Sequence, residues 1–147
     1  MTDHARLATD VIERELQIAA PPETVFDFWT DPERLVRWMG RSATFEPRAG
    51  GRFRIDYNGS DIASGEILEL DRPNRLVLTW GWEAPGDATP PGTSTVEVTF
   101  TAADDGTLLR LRHSGLSPAA IEGHAVGWDQ FLPSLASVAA AERPATV

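Results

Sequence analysis

The sequence predicts an α+β domain in which a curved antiparallel sheet wraps a long C-terminal helix, with two short helices after the first strand. Three observations carry this. Runs with a period of two recur through the middle of the 147-residue chain, punctuated by turn dipeptides, as in a hairpin meander. The large apolar residues of those runs fall on one face, which needs a cover. The one long apolar stripe left over has helical spacing and ends the chain. A small closed barrel with the helix outside is the alternative, and it explains the stripe around Trp128 less well.

The elements follow in order. Val11–Ile18 is the first strand, with Val11, Glu13 and Glu15 alternating with Ile12, Arg14 and Leu16. Pro21-Pro22 ends it and opens a helix, since proline suits a first helical turn. Val25, Phe26, Phe28 and Trp29 give that helix a broad apolar face. Asp31 caps a second helix, Pro32 takes its first position, Leu35, Val36, Trp38 and Met39 form its apolar side, and Gly40 ends it. About six more strands follow in hairpins. Phe53, Ile55 and Tyr57 share one face before the turn dipeptide Asn58-Gly59. Ile62 to Leu70 is the next strand, and Asp71-Arg72-Pro73-Asn74 its turn. Leu76, Leu78, Trp80 and Trp82 share a face, as do Val96, Val98 and Phe100 beyond the Pro/Gly-rich stretch Glu83 to Gly92, which reads as a long hairpin loop. Asp104-Asp105-Gly106 is another turn, followed by Leu109, Leu111 and His113 on one face. In the terminal helix Ser117 is the N-cap, Pro118 the first position, and Glu122 falls in the first turn. Ile121, Ala125, Trp128, Leu132 and Leu135 form its stripe. Pro133 removes a hydrogen bond and crowds the carbonyl of Asp129, which predicts a kink there or two shorter helices.

Composition narrows the chemistry. The chain has no cysteine, and all 13 basic residues are arginine against 22 acidic ones, for a net charge of −9. This excludes disulfides, thiolate nucleophiles, zinc–cysteine sites, Schiff bases and a P-loop lysine. The acidic balance argues against general nucleic-acid binding. Met1 to Asp10 is polar, and no apolar run approaches the roughly 20 residues that span a bilayer. The expectation is a cytoplasmic protein with no membrane contact and one domain over residues 1–147, its core about 11–140.

The ordered set of motifs is familiar. It comprises Pro22-Glu23-x-Val25-Phe26, Thr30-Asp31-Pro32-Glu33-x-Leu35-x-x-Trp38, Gly50-Gly51-x-Phe53-Arg54 and Gly65-x-Ile67-Leu68-Glu69-Leu70. It continues with Pro73-x-Arg75-Leu76-Val77-Leu78-Thr79-Trp80, Val96-x-Val98-x-Phe100, Leu109-x-Leu111-x-His113 and Gly127-Trp128-x-x-Phe131-Leu132-x-x-Leu135. Together these resemble the START-like (SRPBCC) superfamily with its helix-grip fold, shared with birch-pollen-allergen-like proteins. Within it the chain is similar to the branch named after the activator of the heat-shock-protein ATPase. Each glycine also has a physical reading: Gly50-Gly51 permits a tight lead-in to a strand, Gly65 permits a sharp bend or a close helix, and Gly127 gives Trp128 room against the sheet.

The resemblance implies a cavity between helix and sheet. The inward candidates for ligand contact are Phe53, Ile55, Tyr57, Leu78, Trp80, Val98, Phe100, Leu111, His113, Trp128 and Leu132, which read equally as plain core. Trp82 either lines the cavity mouth with Trp80 or sits exposed at a strand end and marks a homodimer contact. His113 is the candidate acid or base, with Glu66 or Tyr57 as the group that reaches it across the sheet. His124 with His113 and Glu66 would make a two-histidine metal site, but no ligand pair has recognised metal spacing, so no metal and no cofactor is expected. His4 adds nothing.

Three functions compete. The first is binding of a small lipophilic or aromatic ligand, with His113 or Tyr57 as its polar contact. The second is an enzyme resembling the cyclases and aromatases of the superfamily, using a cavity acid or base. The third, implied by the family name, is contact with a chaperone ATPase.

Overall fold

The computed structural model describes residues 11–142. Seven strands form one open antiparallel sheet in the order β1-β7-β6-β5-β4-β3-β2. They are β1 Val11–Ile18, β2 Ser42–Phe45, β3 Arg52–Asp56, β4 Ile62–Asp71, β5 Arg75–Trp82, β6 Ser94–Ala103 and β7 Gly106–Ser114. The helices are α1 Pro22–Thr30, α2 Pro32–Leu35 and α3 Pro118–Ala141. Strands β1 and β2 stand at opposite edges, so the sheet curves without closing into the alternative barrel.

The period-two runs become strands because alternate residues reach a common core. Along β6 the pattern is strict: Val96, Val98 and Phe100 are buried, Val96 between Leu78 of β5 and His113 of β7, Val98 between Leu76 and Leu111, and Phe100 beside Leu109 of β7. The opposite face carries charge ladders such as Glu13 beside Arg112 and Glu15 beside Arg110. Asp104 and Asp105 both take positive φ in the β6–β7 turn, a conformation that aspartate tolerates better than most residues. The connection after β3 is longer than a two-residue hairpin. Asn58 Oδ1 accepts from the backbone N–H groups of Ser60 and Asp61, which folds residues 57–61 into a side-chain-stabilised turn.

Several sequence expectations change. Strand β2 carries no clear alternation and emerges only through its pairing with β3. Helix α3 runs unbroken for 24 residues through Pro133. It is therefore not divided into two shorter helices, and Pro133 and Asp129 both lie on its exposed side. Ser117 occupies the N-cap position without a capping bond, and Glu122 lies beyond the first turn. Gly65 bends close to a strand rather than a helix: a Cβ there would meet the Thr79 carbonyl oxygen at 2.1 Å. His4 and both expected tails, residues 1–10 and from Arg143 on, lie outside the described residues.

Candidate functional site

The grip of sheet on helix has two ends, and only one is filled. At the closed end α1 lays Phe26 and Trp29 against Phe100, with ring centroids 5.2 and 6.5 Å apart. At the other end a cavity of about 580 Å³ opens between the first half of α3, the end of β5, the 57–61 turn and the 83–92 loop. Its walls carry Tyr57, Trp80, Trp82, Trp128 and Phe131, and its rim carries Asn58, Ser60, Asp61 and Asp87.

Each wall is held by backbone bonds. Trp82 N–H donates to Thr89 O at 2.7 Å, and Glu83 N–H to Ile62 O at 2.9 Å. The long loop therefore folds back over β5 instead of standing out in solvent, with Thr89 buried. Gly81 permits this, since a Cβ there would meet the Pro90 carbonyl oxygen at 2.1 Å. Tyr57 stacks near Trp82 and Phe131, with centroids 5.3 and 5.6 Å apart. Burial pushes the Tyr57 phenol above its ordinary pKa, so it stays a neutral hydrogen-bonding group.

On the α3 side the wall carries small residues, Ala119, Ala120, Gly123 and Gly127, between His124, Trp128 and Phe131. A Cβ at Gly123 or Gly127 would meet nothing within 4 Å. Gly127 thus does not make room for Trp128 against the sheet; it borders open space.

Two imidazole–indole pairs back this cavity. Trp128 Nε1 donates to His113 Nδ1 at 3.0 Å. An indole N–H can only donate, so the His113 proton sits on Nε2, 2.8 Å from Ser94 Oγ. Ser94 in turn donates to the Trp80 carbonyl at 2.7 Å. Every hydrogen-bonding position of His113 is filled, and burial, helped by the neighbouring His124, lowers its pKa to about 3. His113 is a neutral, fully buried structural group that does not line the cavity. The second pair does line it. Trp82 Nε1 donates to His124 Nε2 at 2.9 Å, and His124 Nδ1 donates to Ala120 O at 2.7 Å. With both lone pairs pointed at indoles, the two histidines offer no common metal position. Among the described residues no group of three metal-ligating side chains occurs.

Of the sequence candidates, Tyr57, Trp80 and Trp128 line the cavity, and Trp82 joins them as the mouth residue. Phe53, Ile55, Leu78, Val98, Phe100, Leu111 and Leu132 are buried core. Glu66 is on the outer face, paired in register with Arg52, and cannot reach His113. Sequence reasoning missed Phe131, the small residues of α3 and the acidic rim. A signal for the second was present: Ala119, Ala120, Gly123 and Gly127 recur at helical spacing. Trp80 Nε1 is buried in the wall without a hydrogen-bond partner.

Among the described residues no helix is long and apolar enough to cross a membrane. Comparison with known proteins places the chain. A protein from Mesorhizobium loti, MLL2253, is 30% identical with a TM-score of 0.78, covering 87% of this chain and 95% of that one. CalU16 from Micromonospora echinospora is 32% identical with a TM-score of 0.72, covering 90% and 77%. PFC0360w, an HSP90 activator from Plasmodium falciparum, is 26% identical with a TM-score of 0.73, covering 87% and 94%. Among curated proteins no sequence matches at a significant level. The helix-grip architecture and a family match over residues 19–140 agree: the chain belongs to the family of Activator of Hsp90 ATPase homolog 1-like proteins.

Proposed function

We propose that this domain binds a small apolar or aromatic molecule in the cavity at its open end. The observation that carries the reading is the pair Gly123 and Gly127. Each glycine inside a helix costs about 1 kcal/mol relative to alanine. Neither has a positive φ, and neither has a neighbour that a Cβ would strike. Packing and backbone geometry give no reason for glycine at either position; what both do is keep space beside five aromatic rings. The volume of about 580 Å³ falls within the roughly 300–1,000 Å³ of ligand pockets. Tyr57, a lining residue that burial keeps neutral, supplies a polar contact for an oxygen of the ligand.

The test is titration with N-phenyl-1-naphthylamine, an uncharged fluorescent probe. Saturable binding with quenching of tryptophan emission is expected, since three of the five tryptophans line the cavity. Gly123→Leu should fill the space and weaken binding at least about tenfold while the fold is kept. Undiminished binding by that variant would place the probe elsewhere and end the reading.

A second reading, chaperone contact, has the support of the Plasmodium falciparum relative described as an HSP90 activator. Stimulation of HSP90 ATPase turnover by this chain is the measurement, and no stimulation removes it. An acid–base enzyme built on His113 has less support, because both its nitrogens are bonded within the protein.

A further inference from the structure

Resting on the reading that the cavity holds a ligand, we infer that its ligand is a lipophilic cation: an apolar or aromatic body carrying a protonated amine or quaternary ammonium group. The sign of the charge follows from the lining. Asp61 and Asp87 border the cavity, and among the described residues no arginine does. The chain has no lysine to serve instead. Two arginines lie close to the elements that carry the rim, and neither lines the cavity. Arg54 is on the outer sheet face, bonded to Glu83 at 3.1 Å, and exposed Arg41 lies beside Gly59, 3.6 Å from Asp56. His124 offers an anion nothing, because its one N–H goes to Ala120 O and its lone pair to Trp82.

The two carboxylates are positioned, not incidental. Asp61 Oδ2 accepts from Asn58 Nδ2 at 2.8 Å, and the Asp61 carbonyl accepts from Tyr57 N–H at 2.9 Å. Asp87 Oδ1 accepts from Thr89 N–H at 2.8 Å, and the Thr89 carbonyl accepts from Trp82 N–H. The turns that fix Tyr57 and Trp82 therefore also fix the rim charges. These bonds use one oxygen of each carboxylate, leaving Asp61 Oδ1 and Asp87 Oδ2. An ammonium group beside the rings gains from their negative faces, and more so as water is excluded. A carboxylate or phosphate would meet two like charges with no guanidinium to neutralise it. The indole N–H groups of Trp82 and Trp128 are already given to histidines and that of Trp80 is buried, and the neutral Tyr57 hydroxyl does not balance an anion.

The experiment displaces N-phenyl-1-naphthylamine with three molecules sharing one ten-carbon chain: decyltrimethylammonium, decanol and decanoate, each below its micelle-forming concentration. The ammonium should displace the probe at concentrations about tenfold below decanol. Decanoate should be the weakest. Raising the ionic strength should narrow the gap between ammonium and decanol. The double variant Asp61→Asn, Asp87→Asn should shrink it to about threefold or less, with decanol unchanged. Should that variant fail to fold, the salt series on the unaltered protein decides. Decanoate displacing as well as the ammonium overturns the charge assignment and leaves the cavity reading standing, as does an ammonium advantage that survives both salt and substitution. Failure of the naphthylamine itself to bind saturably overturns both.

Discussion

Helix α3 passes through two environments. In its second half Leu132, Leu135 and Ala139 are sealed between the sheet and α1. In its first half Ala119, Ala120, Gly123 and Gly127 border space. Aromatic rings are packed at both ends at similar separations: Phe26 with Phe100 at 5.2 Å in the closed end, Tyr57 with Trp82 at 5.3 Å in the open one. Ring contacts therefore do not separate core from site. What separates them is the residue across the gap, a leucine in one half and a glycine in the other. The closed half should answer to mutation in stability, and the open half in ligand affinity.

The largest effect is expected at the closed end. Leu135 is fully buried. Leu135→Ala removes its methyl groups and leaves a void, which should lower unfolding free energy by about 2–5 kcal/mol in urea denaturation. Probe affinity of the remaining folded protein should stay within about threefold of the unaltered chain. A loss below about 1 kcal/mol would mean that the closed end also contains free volume, and the contrast between the halves would dissolve.

His113 sits where the two regions meet, and its response is to pH. The unfolded chain takes up a proton on this residue near its ordinary value of 6.5, whereas the folded form resists until about 3. The unfolded state therefore binds more protons in that interval. Stability is complete above about pH 6.5 and is lost as pH falls toward 3. Between about pH 7 and pH 5 the loss from this group should be about 2 kcal/mol. His113→Gln keeps an acceptor for Trp128 and a donor for Ser94 but removes the titration. Denaturation midpoints at the two pH values should converge in that variant. An unchanged pH dependence would show that His113 is not the group responsible.

How far the sequence revealed these two halves depends on the kind of information each needs. The strands were legible because burial on one face imposes a period of two, and Val96, Val98 and Phe100 show it without interruption. The start of α2 was legible because Asp31 and Pro32 act locally, and Asp31 does accept from Glu33 N–H. Strand β2 was not, since four residues with one buried side chain carry no pattern of their own. Glu66 was misplaced because its facing depends on the register against β3 and β5, which is fixed by long-range pairing. The resemblance implies a cavity between helix and sheet without placing it along the helix, and it occurs at one end, because whether an inward side chain meets another is set by packing in three dimensions. The two shorter helices offered as one outcome of Pro133 do not occur, and the proline lies on the exposed side of α3, a placement that depends on how the helix packs.

The smallest effect carries the most discriminating sign. Gly123→Ala and Gly127→Ala each add a methyl group that meets no neighbour within 4 Å, at positions without positive φ. Helix propensity alone then favours alanine by about 1 kcal/mol per site, and the double variant should be about 1–2 kcal/mol more stable by urea denaturation. The same methyl groups intrude on the cavity, so naphthylamine affinity should fall, by about threefold to tenfold. Stability rising while binding falls is the outcome that a plain core cannot give, since in a core a methyl group either fills a void without touching any ligand or clashes and destabilises. Were the double variant less stable, the first half of α3 would be packed after all, and the two halves of the helix would be one core. Were it more stable with undiminished binding, the glycines would be neutral to the ligand, and the open end would owe its space to the loop and the turn rather than to the helix.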